Sequence, residues 1–144
     1  MKDKYSHIET ISAYNKNDEY FVVSFKFSNI DYPIRVIINT EYGNGYSILS
    51  NMINAMSEIV NDPINNQRST GAIDIKTAKD DTLPSGDLRI YAHSMFHNQI
   101  IFEYSINGKI QVMISIDPEE TKRIIDILAD RIKYYCSRNS CGLI

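Results

Sequence analysis

Between Tyr20 and Ser28 the side chains alternate: Phe21, Val23, Phe25 and Phe27 are interleaved with Val22, Ser24, Lys26 and Ser28. A period of two sends successive side chains to opposite faces of an extended chain, so the stretch reads as a strand with one aromatic face turned to a core. A helix would scatter the same four large groups around its surface. The alternation returns after the turn residues Asn29-Ile30-Asp31-Tyr32-Pro33, with Ile34, Val36 and Ile38 on one face. Ile37 on the other face implies cover on both sides.

The second half repeats the pattern. Leu88, Ile90 and Ala92 alternate with Arg89, Tyr91 and His93, and Ile100, Phe102, Tyr104 and Ile106 form the next run. Asn107-Gly108 follows, the pair that best accepts the positive φ angles of a tight hairpin turn. Ile110, Val112, Ile114 and Ile116 return on the partner strand, where strict alternation assigns all four to the core face.

Two stretches change period. From Ser47, the residues Ile48, Leu49, Met52, Ile53, Met56, Ile59 and Val60 fall at helical spacing, and Asp62-Pro63 closes the run because a residue before proline avoids the helical region. The second helix opens at Asp117-Pro118-Glu119-Glu120: Asp as N-cap, Pro at the first helical position and Glu three residues on as a capping box. Ile124, Ile125, Leu128, Ile132 and Tyr135 form its apolar stripe.

The expected order is β-ββα-β-βββα. This is an α+β fold: an antiparallel sheet of about six to seven strands with two amphipathic helices on one face, in one domain over residues 1–144. Half-units at about 18–62 and 87–138 resemble each other as ββα copies, joined by a polar region, 62–87, whose two loops are expected to be exposed and mobile. Residues 72–76 make a short strand between those loops. With both helices on one face, the other face stays open. Ser24, Lys26, Ser28, Arg35, Arg89, Tyr91, His93, Ile101, Glu103, Gln111 and Met113 would populate it.

Composition bounds the function. The 144 residues are 43% hydrophobic and 23% charged, enough for a packed core. A formal net charge of −3 lacks the clustered Lys and Arg of a nucleic-acid footprint. No apolar run reaches the roughly 20 residues that span a bilayer. The N-terminal residues carry no apolar signal segment, so a cytoplasmic chain is expected. Cys136 and Cys141, close together near the end, then read as free thiols. The bias toward Lys, Asn, Ile and Tyr matches low-GC bacterial and phage genomes, an association without mechanism.

Catalytic motifs are weak. His93 and His97 sit four apart in or beside a strand, roughly 13 Å from each other, too far to share a metal. Cys136 and Cys141 at a helix C-terminus face the wrong end of the dipole for a thiolate. Gly43-Asn44-Gly45 precedes a helix but lacks the lysine and spacing of a phosphate loop. Glu58-Ile59-Val60-Asn61 resembles, over four residues, the Glu-x-x-Asn pair of the chemotaxis phosphatases CheC and CheX. The glycine-bearing surround of that motif is missing and Asp62-Pro63 follows at once, so a solvated helix end is expected. No catalytic residue, metal ligand or cofactor is assigned.

What remains is a surface. Arg35, Arg68, Arg89, Tyr91, His93 and Met113 are the candidate binding residues: arginines that grip anions or carboxylates, and side chains of the open face. The expected function is a non-enzymatic binding protein with a protein partner or a second copy of itself, of the inhibitor, immunity-protein or phage-antagonist kind. The alternative is sequestration of a small anionic ligand, such as a nucleotide, at an arginine–tyrosine site on a subunit boundary. A small hydrolase is a distant third.

Overall fold

The computed structural model describes residues 6–69, 71–96 and 98–138. The described residues form seven strands and two α-helices in the order read from the sequence. The strands are β1 (Ile8–Lys16), β2 (Tyr20–Phe27), β3 (Ile34–Asn39), β4 (Ile73–Ile75), β5 (Asp87–Ala92), β6 (Ile100–Ile106) and β7 (Lys109–Ile116). The helix α1 (Gly45–Asn61) follows β3, and α2 (Pro118–Arg138) follows β7.

The strands divide into two antiparallel sheets rather than the single one expected: β1-β2-β3, and β4-β5-β6-β7. Backbone hydrogen bonds from the segments beside the strands link them without building a common ladder. Ser6 N donates to Ser115 O (2.9 Å), Ala78 N to Ile37 O (2.6 Å) and Gly86 N to Arg35 O (3.3 Å). Side chains do the rest. Phe102 of β6 meets Phe25 and Phe27 of β2 edge-on, at ring separations of 5.9 and 5.6 Å. One continuous core draws Phe21, Val23, Phe25, Phe27, Ile90, Phe102 and Ile114 from the sheets and Leu49, Met56, Ile59, Ile124 and Leu128 from the helices. The helices lie along one another, α2 also against β1 and α1 against β1 and β5.

Local chemistry sets the helix ends. Asn44 accepts from Ser47 N at 2.9 Å and so occupies the N-terminus of α1 itself. Gly45 is there because nothing larger fits: a Cβ at that position would lie 2.5 Å from Phe21 and 2.8 Å from Tyr135. Asp117 caps α2, its carboxylate accepting from Glu120 N at 2.7 Å. The expected capping box does not close. Instead the Glu120 carboxylate, buried, accepts from Ile8 N (2.8 Å), from Arg123 (3.0 Å) and from His7 (3.3 Å), and so ties β1 to the last helix. Burial alone would raise its pKa. The Ile8 amide, His7 and Arg123 outweigh burial and hold it below the ordinary carboxylate value.

The segment 77–86 is not the free loop expected from its composition. Lys16 donates to Asp80 (2.6 Å) and to the Thr82 hydroxyl, and Tyr20 donates to Lys79 O (3.3 Å). With the backbone bonds to Ile37 and Arg35, these lay it as a strap over the outer face of the three-stranded sheet. Val22 and Ile37, which point away from the core, are fully buried on that face. Such cover is what the doubly apolar pattern of β3 required.

The helix carrying Glu58 and Asn61 ends at Asn61 and leaves both residues exposed, as expected. Cys136 differs from its expected free state: it is disulfide-bonded. The chain's other cysteine, Cys141, lies outside the described residues.

Candidate functional site

Among the described residues, no strap like 77–86 covers the outer face of the four-stranded sheet. In the ladder, Tyr91 pairs with Ile101 and Ile101 with Ser115, while Arg89 pairs with Glu103 and Glu103 with Met113. Directly paired residues share a face, so these two rows stand side by side on the surface turned from the core. The chain preceding β4 runs beside them: Gln67 forms an isolated parallel bridge to Ala92, which brings Arg68 over the sheet.

The result is a cleft of ≈ 560 Å³ walled by Arg68, Arg89, Tyr91, His93, Ile101 and Met113. Five of the six candidate residues therefore meet in one place. Arg35 does not. It lies on β3 under the strap, where its carbonyl accepts from Gly86 N, the Ser85 hydroxyl and the Tyr104 hydroxyl, each at 3.3 Å. Its Nε is buried without a partner among the described residues.

Carboxylates already hold the arginines of the cleft. Arg68 reaches Glu103 at 3.3 Å, and the buried Glu103 also accepts from the Tyr91 hydroxyl at 3.0 Å. Burial, reinforced by that hydrogen bond, pushes the Tyr91 phenol up to about 12. Arg89 grips Asp74 of β4 with two bonds, 2.5 and 2.9 Å. The hydrogen bond from Arg89 is the main reason the Asp74 carboxyl sits below its ordinary value. The cleft floor is thus a neutralised polar network, not a cationic anion trap. His93 has a local duty as well. Its Nδ1 accepts from the amides of Met95 (3.0 Å) and Phe96 (3.1 Å), and so shapes the turn after β5. His97 lies outside the described residues.

Sequence reasoning underrated Glu103 as a site residue. A single carboxylate inside the apolar run Ile100-Ile101-Phe102-Glu103-Tyr104 was the available signal, since a buried carboxylate demands partners. It also misplaced Ile110. The β6–β7 ladder slips between Tyr104 and Ser105, so Ile110 pairs with Ser105 and Val112 with Tyr104. That bulge rotates Ile110 off the core face and onto the outer face, where it lines a second cleft of ≈ 240 Å³ with Arg68, Arg89 and Glu103. Ile110 is 49% and Met113 53% exposed. Both stand on β7, the end strand of its sheet.

Comparison with family models, with curated proteins and with solved structures returns no match.

Proposed function

We propose that this chain is a non-enzymatic binding protein that works through a protein–protein surface, the outer face of the four-stranded sheet and its β7 edge. The observation that carries this reading is the bulge that turns Ile110 outward beside Met113. Two large apolar side chains then stand half-exposed on an end strand. An end strand with apolar neighbours is a template for another chain. Around it lie satisfied polar groups, Tyr91, Glu103, Arg68 and Arg89, as at the rim of a protein interface. Self-association is the first form to test. Inhibitors, immunity proteins and phage antagonists are the kinds of molecule that act this way.

Each half of the chain contains a three-strand meander followed by a helix, β1-β2-β3-α1 and β5-β6-β7-α2. This order supports an internal duplication in which only the second copy kept its outer face open. The alternative of a small anionic ligand in the same cleft is less well supported, because the anion would compete with Glu103 and Asp74 for their arginines.

The experiment is the pair Ile110→Asp and Met113→Asp, alone and together, followed by sedimentation and by a photo-crosslinking residue at Met113. The wild type should form a dimer or crosslink one protein partner. The double variant should lose the association and keep its thermal midpoint. Association that survives both substitutions would sink the reading, as would a wild type that captures neither a second copy nor another protein.

A further inference from the structure

A larger space lies at the β4 end of the same sheet. The strands β3 and β4 are the end strands of their two sheets, and between them a cavity of ≈ 890 Å³ opens onto α1. Its floor is apolar: Ile38, Ile48 and Met52 are each less than a tenth exposed. Ala55, Ile73 and Ile75 continue that lining along its walls. The volume falls in the range of small-molecule sites, about 300–1,000 Å³, which are typically apolar with a few placed polar groups.

Three charged side chains, Asp74, Lys76 and Lys79, line the cavity among the described residues. Lys76 and Lys79, both exposed, line the strap side. The one carboxylate in the lining, Asp74, is committed to Arg89 through two hydrogen bonds. Apolar depth beneath two ammonium groups fits a molecule with an aliphatic body and a single anionic head.

We propose that the cavity between β3, β4 and α1 binds a medium-chain aliphatic carboxylate, its chain against Ile48, Met52 and Ile75 and its carboxylate at Lys76 and Lys79. This cavity adjoins the second cleft of the outer sheet face, with which it shares Asp74, Ile75 and Lys76, but the proposal does not rest on the binding reading given for that face.

Decanoate is the probe, with decanol as the uncharged control, titrated by calorimetry and followed by amide chemical-shift mapping. Decanoate should shift the amides of Ala55, Ile73, Ile75 and Thr77, and should bind more tightly than decanol. Lys76→Gln with Lys79→Gln should weaken decanoate about tenfold, two exposed ion pairs' worth, and leave decanol unchanged. Ala55→Trp should fill the space and abolish both, and a folded Ala55→Trp spectrum is the control for that arm. The proposal is overturned if decanoate shifts map to Tyr91, Ile101 and Met113 instead. It is equally overturned if the double lysine variant binds decanoate as the wild type does, or if decanol binds as well as decanoate. Absence of any shift with the wild type rules it out too.

Discussion

The two sheets have the same problem, a face turned away from the common core, and they solve it differently. On the three-stranded sheet the strap seals Val22 and Ile37 to zero exposure. On the four-stranded sheet Ile110 and Met113 stay half-exposed, and polar groups are satisfied among themselves through Arg68–Glu103, Tyr91–Glu103 and Arg89–Asp74. Apolar residues buried on a second face contribute stability. Apolar residues kept open on an end strand contribute none, which is why the open face is the one to which we assign binding.

The largest effect tests whether the two sheets share one core. Phe102→Ala should remove about 3–5 kcal/mol, because the ring is fully buried against Phe25 and Phe27. Denaturant unfolding followed by probes on each sheet should still give one coincident transition. Two separate transitions would break the comparison at its root, since the faces would then belong to independent units.

Next, the faces themselves can be set against each other. Ile37→Ala should cost about 2–5 kcal/mol, and Met113→Ala should stay within about 0.5 kcal/mol. Equal costs in chemical denaturation would mean that the strap seals nothing. Gly45→Ala, at a helix start where alanine is usually harmless, should cost about 1–3 kcal/mol because Phe21 and Tyr135 occupy the space of the new methyl group. An unchanged or raised melting temperature would contradict that packing.

The strap should also respond to acid. Hydrogen bonds from Lys16 and then from Thr82 hold the Asp80 carboxyl down to about 2, against an ordinary value of 3.8. A depressed carboxyl contributes stability above its unfolded value and loses it as pH falls toward the folded one. Amide protection at Ala78 and Gly86 should therefore persist at neutral pH and decline between about pH 4 and pH 2. In Asp80→Asn that decline should vanish, and a decline that persists there would assign it to other groups. The smallest signal is spectroscopic. The Tyr91 phenol should ionise near 12, and Glu103→Gln should lower its titration midpoint in ultraviolet absorbance. An unmoved midpoint would show that burial alone sets it.

The sequence made the elements legible because periodicity is local: the runs at 21–27, 34–38 and 100–106 and both helices stand where their spacing predicts. What it hid was relational. A polar segment such as 77–86 reads as loose until Lys16 and Tyr20, some sixty residues earlier, are seen to bind it. A one-residue slip in a ladder is invisible to a pattern count, so Ile110 was assigned to the core. The candidate cleft emerged because Arg89, Tyr91, His93 and Met113 alternate on one face, whereas the involvement of Arg68 depended on a loop trajectory that no periodicity encodes. Arg35 shared the pattern but belonged to the other sheet.

The clasp of Glu120 on the Ile8 amide bears on how the molecule is made. A nascent chain emerges amino end first, so β1 leaves the ribosome long before its anchor exists. Until residue 120 is free, the edge of β1 is left without its carboxylate. Strand β1 is thus synthesised well before the helix α2 that supplies the carboxylate locking its edge.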